Sequence, residues 1–230
     1  MTPSRPLALL DAVELSYALA ATVAAEQRVR ALATAGPVHA HHGLLPQCVS
    51  TDVDLWVETG SIDAYLAALR TAGWDERAAS ESFRERGQPS TTVIHQHWPC
   101  EVEVHRSLPG FLASEREVFD VLWERRESLV IAGVKVPIVD RVAAILIAVV
   151  RALRSSVRVG QHTEEITRLA TEVLPALDGA QARELRDLAT ATGAIDTVRP
   201  LMEHRGRGSG TATGWPRGIT DDSMLRGDDS

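Results

Sequence analysis

Two aspartates one residue apart in an apolar segment are the residues whose types and spacing best suit chemistry. Asp52 and Asp54 alternate with valine and leucine across residues 51–57, a pattern that predicts a strand with one apolar and one acidic face. Two carboxylates held side by side repel each other unless a proton or a cation lies between them. The spacing therefore predicts a site for divalent cations on this strand.

A second acidic strand is predicted further along the chain. Two valines share one of its faces, and Glu101, Glu103 and His105 share the other. We prefer Glu103 to Glu101 as a ligand because Glu103 is enclosed between the valines, whereas Glu101 lies at the start of the strand. Together with Asp52 and Asp54, Glu103 is predicted to complete a carboxylate site.

Nucleotidyl transfer is a reaction that such a site suits. The attacking and leaving oxygens both develop charge at the α-phosphorus, and two divalent ions about 4 Å apart can stabilise both oxygens. Magnesium prefers hard oxygen ligands and keeps some of its waters. An aspartate pair on one strand and a glutamate on a neighbouring strand supply such ligands.

The composition limits the class of protein. A chain of 230 residues, of which 44% are hydrophobic, can bury a core and form one or two domains. Its net charge of -7 argues against broad nonspecific binding to nucleic acid, although a local basic groove is compatible with it. The two cysteines, Cys48 and Cys100, are too few for a disulfide scaffold. Because no segment has the pattern of a signal peptide or a membrane span, we expect a soluble cytoplasmic protein.

Three regions are predicted along the chain. Residues 1–136 form a mixed α/β domain, residues 137–204 are helical, and residues 205–230, rich in glycine and poor in apolar residues, are disordered. Within the first region, the Ala- and Leu-rich residues 7–33 predict one long helix or two. Residues 38–42 predict a short strand.

The remaining elements are predicted from apolar periodicity and from turn residues. They are a strand over 52–58, a helix from Ser61 to Gly73, two strands over 91–98 and 101–105 that form a hairpin-like pair, a helix over 114–127, a hairpin over 129–136, and helices near 138–155, 163–175, 179–192 and 194–203.

Several short segments resemble the motifs of one protein superfamily. His42-Gly43, DVDLWV (52–57) and VEVH (102–105) resemble the motifs of the DNA polymerase β-type nucleotidyltransferases, and are most similar to those of the uncharacterised bacterial nucleotidyltransferase family in that superfamily. The helix that ends in Ala72-Gly73-Trp74 agrees with that family's pattern. The resemblance covers about residues 10 to 175.

This resemblance implies an α+β fold, with a polymerase β-type mixed sheet flanked by helices, an N-terminal helix and a helical C-terminal region. It implies two magnesium ions and transfer of a nucleotide, AMP, from ATP or a similar NTP donor to a hydroxyl acceptor. By motif position, Asp52 and Asp54 would be the paired metal ligands and Glu103 the third. Gly43 would let the backbone approach the donor's phosphates. The acceptor stays open among small molecules, peptides, proteins and RNA, of which nucleic acid is the least expected.

Departures from the superfamily pattern support an alternative function. Leu44 follows Gly43 where Ser or Gly is usual, His42 stands where relatives often carry Lys, and no cation lies shortly before Asp52. A triphosphate needs cationic partners. The candidates to replace them are Arg84, Arg86 and Arg106. A degenerate nucleotidyltransferase that binds a nucleotide or a partner without chemistry is the alternative.

The histidines favour a third function, a His/carboxylate metallohydrolase. Neutral imidazoles bind zinc and similar metals. His39 and His41 would share a face of the strand predicted over 38–42, and His95 and His97 would share a face of another. The usual helical His-Glu-x-x-His motif is not found in the sequence.

Overall fold

The computed structural model describes residues 7–44, 51–77, 90–154 and 161–204. In these ranges seven strands form one mixed sheet. They are β1 (Ala31–Ala33), β2 (Asp52–Val57), β3 (Trp74–Glu76), β4 (Ser90–His95), β5 (Glu101–His105), β6 (Glu127–Ile131) and β7 (Val134–Ile138). Their spatial order is β3-β4-β5-β2-β1-β7-β6. The pairs β2–β5 and β1–β7 are parallel, and the other neighbours are antiparallel.

Helices accompany the sheet and make up the C-terminal part of the described chain. They are α1 (Leu9–Gln27), α2 (Pro37–His41), α3 (Ile62–Thr71), α4 (Glu115–Glu124), α5 (Arg141–Arg154), α6 (Gln161–Arg168), α7 (Gly179–Ala191) and α8 (Ile195–His204). A 3-10 turn at Thr59–Ser61 precedes α3, and a π-helical turn at Leu169–Val173 follows α6. The predicted α+β class, a mixed sheet flanked by helices, is confirmed.

One hydrophobic core joins the sheet to the helices. It includes strand residues such as Val53 and Val102, and residues of α5 such as Ile145 and Leu146, which are fully buried. The helix predicted near 138–155 is therefore confirmed as a buried helix from Arg141 onward, whereas Ile138 itself ends β7. No helix in the described ranges is both long and apolar enough to cross a membrane.

The N-terminal prediction was wrong at its end. Residues 7–33 contain helix α1, but this helix ends at Gln27, and Arg28 takes up a left-handed conformation with φ of 57°. Ala31–Ala33 then form β1, which lies between β2 and β7. Alanine and leucine favour helices, but helix propensity is a weak preference that burial in the middle of a sheet overrides.

The strand predicted over 38–42 was also wrong, because this segment is helix α2. Gly36, with φ of 59°, turns the chain, and Pro37 stands in the first turn of the helix, where its fixed φ is favourable. Residues two apart on a helix do not face the same way. The shared face predicted for His39 and His41 is therefore absent.

The other predicted helices and strands that fall in the described ranges are confirmed to within a few residues. The helix predicted over 114–127 begins after Ser114, whose side chain forms a capping box with Glu117. β7 continues to Ile138, past the predicted region boundary after residue 136. The tail predicted over 205–230 lies outside the described residues.

Candidate functional site

The register between β2 and β5 aligns the two acidic strands. Asp54 pairs with Glu103, and Asp52 pairs with Glu101. Because the strands are parallel neighbours, side chains at paired positions lie on the same face of the sheet. The opposite face carries apolar side chains of both strands that are almost fully buried, namely Val53, Leu55, Val57, Val102 and Val104.

Three side chains of this acidic face meet in one cluster, which we call the Asp54 site. His105 Nε2 lies 3.0 Å from Asp54 Oδ1 and 3.3 Å from Glu103 Oε2. The potential ligand atoms of Asp54, Glu103 and His105 all lie within 4.8 Å of one another. Asp54 and His105 are buried, whereas 33% of the Glu103 side chain is exposed, so the cluster reaches solvent through Glu103.

Helix α5 contributes a cation to the Asp54 site. Arg151 Nη2 donates a hydrogen bond of 3.1 Å to Asp54 Oδ1. Arg151 Nη1 is buried and has no hydrogen-bond partner among the described residues. Arg151 was not among the cations predicted from the sequence, which were sought near Asp52. The signal available in the sequence was a single arginine after the apolar run 142–150 of a buried helix.

Helix α1 holds the backbone of β2 at the same point. The Asp54 N–H donates to the Tyr17 hydroxyl at 3.2 Å, and this hydroxyl donates in turn to the Ala35 carbonyl at 3.2 Å. Burial, followed by the nearby negative charge of Asp54, raises the pKa of Tyr17. The hydroxyl therefore stays protonated at neutral pH and keeps its role as a donor to Ala35.

The partners of Asp54 decide its protonation state. Burial alone would raise its pKa, but the hydrogen bond from His105 and the positive charge of Arg151 outweigh burial and lower the pKa to about 2. For His105 burial favours the neutral ring, yet the hydrogen bonds with Asp54 and Glu103 raise its pKa overall. Asp54 is therefore ionised at neutral pH and available as a ligand.

Asp52 and Glu101 lie two residues before Asp54 and Glu103 in their strands. Neither belongs to the group of three whose ligand atoms converge. Glu101 forms an ion pair with Arg77 across the sheet. Asp52 is half-buried at the first position of β2. Of the three carboxylates predicted as ligands, the structure brings Asp54 and Glu103 together and leaves Asp52 beside them.

The other predicted binding residues that the structure describes have contacts of their own. Gly43 has φ of 68° in the turn after α2, and a Cβ there would meet nothing within 4 Å. His42 Nε2 donates to the Val139 carbonyl at 2.9 Å. The Arg106 carbonyl accepts a hydrogen bond from Trp56 Nε1 at 3.1 Å. Arg84, Arg86 and Cys48 lie outside the described residues.

A buried histidine adjoins the same region. His39 is 7% exposed, and its Nε2 has no hydrogen-bond partner among the described residues. Burial, followed by the positive charge of Arg151, lowers its pKa to about 4. His39 is therefore neutral at neutral pH, and it does not add positive charge to the Asp54 site.

The donor set of the Asp54 site fits a divalent cation. The two carboxylates offer oxygen ligands that such ions accept, and the carboxylate of Asp54 is ionised. His105 Nε2 donates its hydrogen to Asp54, so it would have to lose this proton before the imidazole could bind the ion. Arg151 already compensates that charge. A divalent cation at this position would compete with the guanidinium for the carboxylate of Asp54.

No protein-family model and no curated protein sequence matches the chain. Several solved structures are similar to it in part. An antigenic nucleotidyltransferase-like protein from Paracoccidioides brasiliensis aligns with a TM-score of 0.49 and 16% identity over 85% of this chain and 93% of its own. The antibiotic-resistance factor ANT(2'')-Ia aligns with a TM-score of 0.46 and 11% identity over 85% and 96%.

The lincosamide antibiotic adenylyltransferase LnuA, bound to lincomycin, aligns with a TM-score of 0.44 and 14% identity over 69% of this chain and 95% of its own. Similarities at this level do not assign the chain to a family, and its function has to be argued from its own residues.

Proposed function

We propose that the protein is a metal-dependent nucleotidyltransferase, which moves a nucleotide, AMP, from ATP to a hydroxyl of a small molecule, peptide or protein. The observation that carries the proposal is the pairing of Asp54 with Glu103 across two parallel strands, with His105 in contact with both. This pairing presents two carboxylates from different strands on one face of the sheet. The opposite face of both strands is packed into the core.

Each group of the site has a part in this function. Asp54 and Glu103 would hold one magnesium ion. Asp52, two residues before Asp54 in β2, would be a ligand of the second magnesium ion. Bound magnesium ions would stabilise the negative charge that develops on the phosphate oxygens. His105 orients Asp54 and Glu103 through its hydrogen bonds to both.

Arg151 supplies positive charge that the motif region lacks. Its guanidinium faces the carboxylate of Asp54, and one of its nitrogens has no partner in the described part of the chain. A guanidinium released from Asp54 by a metal ion could bind a phosphate oxygen of the donor through two N–H groups. Binding of metal and binding of triphosphate would then support each other.

The experiment is a transfer assay with each labelled nucleoside triphosphate, Mg²⁺ and a lysate extract as the source of acceptor. The purified protein should label an acceptor with one nucleoside monophosphate. Asp54→Asn, which keeps the shape of the side chain and removes its charge, should abolish labelling without unfolding the protein. Glu101→Gln is the matched control, because Glu101 pairs with Arg77 outside the cluster, and it should retain labelling. Full activity of Asp54→Asn would contradict the role of Asp54.

One observation favours a second candidate function, a degenerate transferase that binds a nucleotide or a partner without chemistry. The ion pair with Arg151 and the hydrogen bond from His105 stabilise the charge of Asp54 without any metal ion. Such compensation suits a site that has lost its metal ions. Magnesium-dependent binding of ATP without its consumption, in the presence of the same lysate, would favour this candidate over the transferase.

A further inference from the structure

A second group of potential metal ligands lies on the other side of the sheet's centre, where α2 meets β6. It consists of His41, the last residue of α2, His42, the residue that follows, and Glu127, the first residue of β6. One ligand atom of each side chain lies within 4.8 Å of the others. This group shares no residue with the Asp54 site.

The sheet brings these three residues together. Glu127 pairs in register with Ile138 at the end of β7, and the next residue, Val139, accepts the hydrogen bond from His42 Nε2 at 2.9 Å. The rings of His41 and His42 meet edge to face, with 4.9 Å between their centroids. The positions of Glu127 and His42 are therefore set by their links to the end of β7: strand pairing for Glu127, and a hydrogen bond to the backbone for His42.

The hydrogen bond of His42 prepares its ring as a ligand. A carbonyl oxygen only accepts, so Nε2 must carry the proton, and the lone pair of the neutral ring is on Nδ1. Histidines that bind metals commonly donate their other N–H to a backbone carbonyl or a carboxylate, which fixes the tautomer and the ring orientation. The contact between His42 and Val139 has this form.

We propose that His41, His42 and Glu127 bind one divalent transition-metal ion of the zinc type. Two imidazoles and one carboxylate are a donor set that zinc accepts, with water in the remaining position. Imidazole ligands favour such an ion over magnesium. His41 and Glu127 are exposed, so the ion can enter from solvent. Bound there, it would tie α2 to the edge strand β6 and stabilise the fold.

The test is a titration of the metal-free, full-length protein with Zn²⁺ alone, followed by calorimetry and by thermal unfolding. The wild-type protein should bind one equivalent of zinc, and this binding should raise its Tm. His41→Ala and Glu127→Gln should each lower the affinity for this zinc ion by at least about tenfold, the effect of losing even an outer partner of a metal ligand. In both variants zinc should no longer raise the Tm.

Controls separate this group from the other potential sites. His97→Ala removes an exposed histidine elsewhere and should leave the titration unchanged. Asp54→Asn should retain the equivalent bound by His41 and Glu127 even if it loses another one at the Asp54 site. His42 is not varied, because its substitution would also break the bond to Val139. Zinc binding that is equal in the wild type, His41→Ala and Glu127→Gln would overturn the proposal, as would a wild-type protein that binds no zinc.

Discussion

Arg151 Nη2 lies 3.1 Å from Asp54 Oδ1, so that an ion pair joins helix α5 to strand β2. The carboxylate is 6% exposed and the guanidinium side chain 35% exposed. Removing an ionised carboxylate from water is unfavourable unless it is paired. The arginine therefore allows Asp54 to stay charged inside the fold, and it also opposes the binding of any other cation at that carboxylate.

This competition leads to a prediction for Arg151→Gln. The variant should bind Mg²⁺ at the Asp54 site at least about fivefold more tightly in the absence of nucleotide, because even an exposed ion pair contributes up to about 1 kcal/mol and this pair is partly buried. Its affinity for ATP in the presence of saturating Mg²⁺ should fall, since a phosphate ligand is lost. Both affinities can be measured by calorimetry.

Arg116→Gln is the matched control for that experiment. Arg116 is an exposed arginine of α4, with 87% of its side chain in solvent, and its loss should change neither affinity. If Arg151→Gln and Arg116→Gln behaved alike, the guanidinium of Arg151 would have no influence on ions at Asp54.

The low pKa of Asp54 predicts how stability depends on pH. Hydrogen bonding to His105 and the charge of Arg151 lower its pKa, against the effect of burial, from 3.8 to about 2 in the folded protein. Between these two values the unfolded chain binds the additional proton, so the free energy of unfolding falls as the pH falls through this interval. The contribution is present above pH 4 and amounts to about 2 kcal/mol.

Denaturant unfolding at a series of pH values measures this contribution. The wild-type protein should lose more stability between pH 4 and pH 2 than Asp54→Asn does, because the amide does not titrate. Curves that run parallel for the two proteins over this interval would mean that Asp54 has an ordinary pKa in the fold.

The raised pKa of His105 predicts the opposite dependence at higher pH. Burial would lower this pKa, but the hydrogen bonds to Asp54 and Glu103 raise it above its usual value of 6.5. The imidazolium form is then stabilised by folding, so this contribution is complete below pH 6.5 and is lost as the pH rises through the pKa of the folded protein.

NMR titration of the imidazole resonances tests the assignment. His105 should titrate above 6.5, and Asp54→Asn should move its pKa downward because the variant removes the negative charge nearest to Nε2. A His105 resonance with the same pKa in both proteins would contradict the coupling between His105 and Asp54.

The acidic face of the sheet could be predicted from the sequence because alternation along a strand is a local property. The pattern at 52–57 and at 101–105 fixes which residues share a face, and the parallel pairing of Asp54 with Glu103 adds only the register. The preference for Glu103 over Glu101 as a ligand stays a prediction, although the structure places Glu103 nearer to Asp54 and His105.

Arg151 could not be found in this way because its position is a tertiary property. It follows Asp54 by 97 residues, and only the packing of α5 against the sheet brings the two together. The error at 38–42 has a local cause: alternation of histidine with valine and alanine suggested a strand, whereas Gly36-Pro37 is a helix start. Because the strand prediction missed the end of α2, it gave no indication that His41 and His42 lie beside Glu127.

A matched pair of variants in β5 tests the carboxylate arrangement most directly. Glu103 and Glu101 lie on the same face of the same strand, but Glu103 contacts His105 and Glu101 contacts Arg77. Glu103→Gln should therefore weaken the binding of Mn²⁺, a spectroscopic substitute for Mg²⁺, by at least about tenfold, and should lower the transfer rate in parallel.

Glu101→Gln removes the same charge at a position two residues before Glu103 in β5. It breaks only an exposed ion pair, which contributes about 0–1 kcal/mol to stability. It should bind Mn²⁺ as the wild type does. Because the two variants change the net charge equally, a general electrostatic effect would weaken Mn²⁺ binding in both to the same extent. A loss confined to Glu103→Gln requires a cation that is held locally between β2 and β5, whereas equal losses would point to diffuse attraction by an acidic surface.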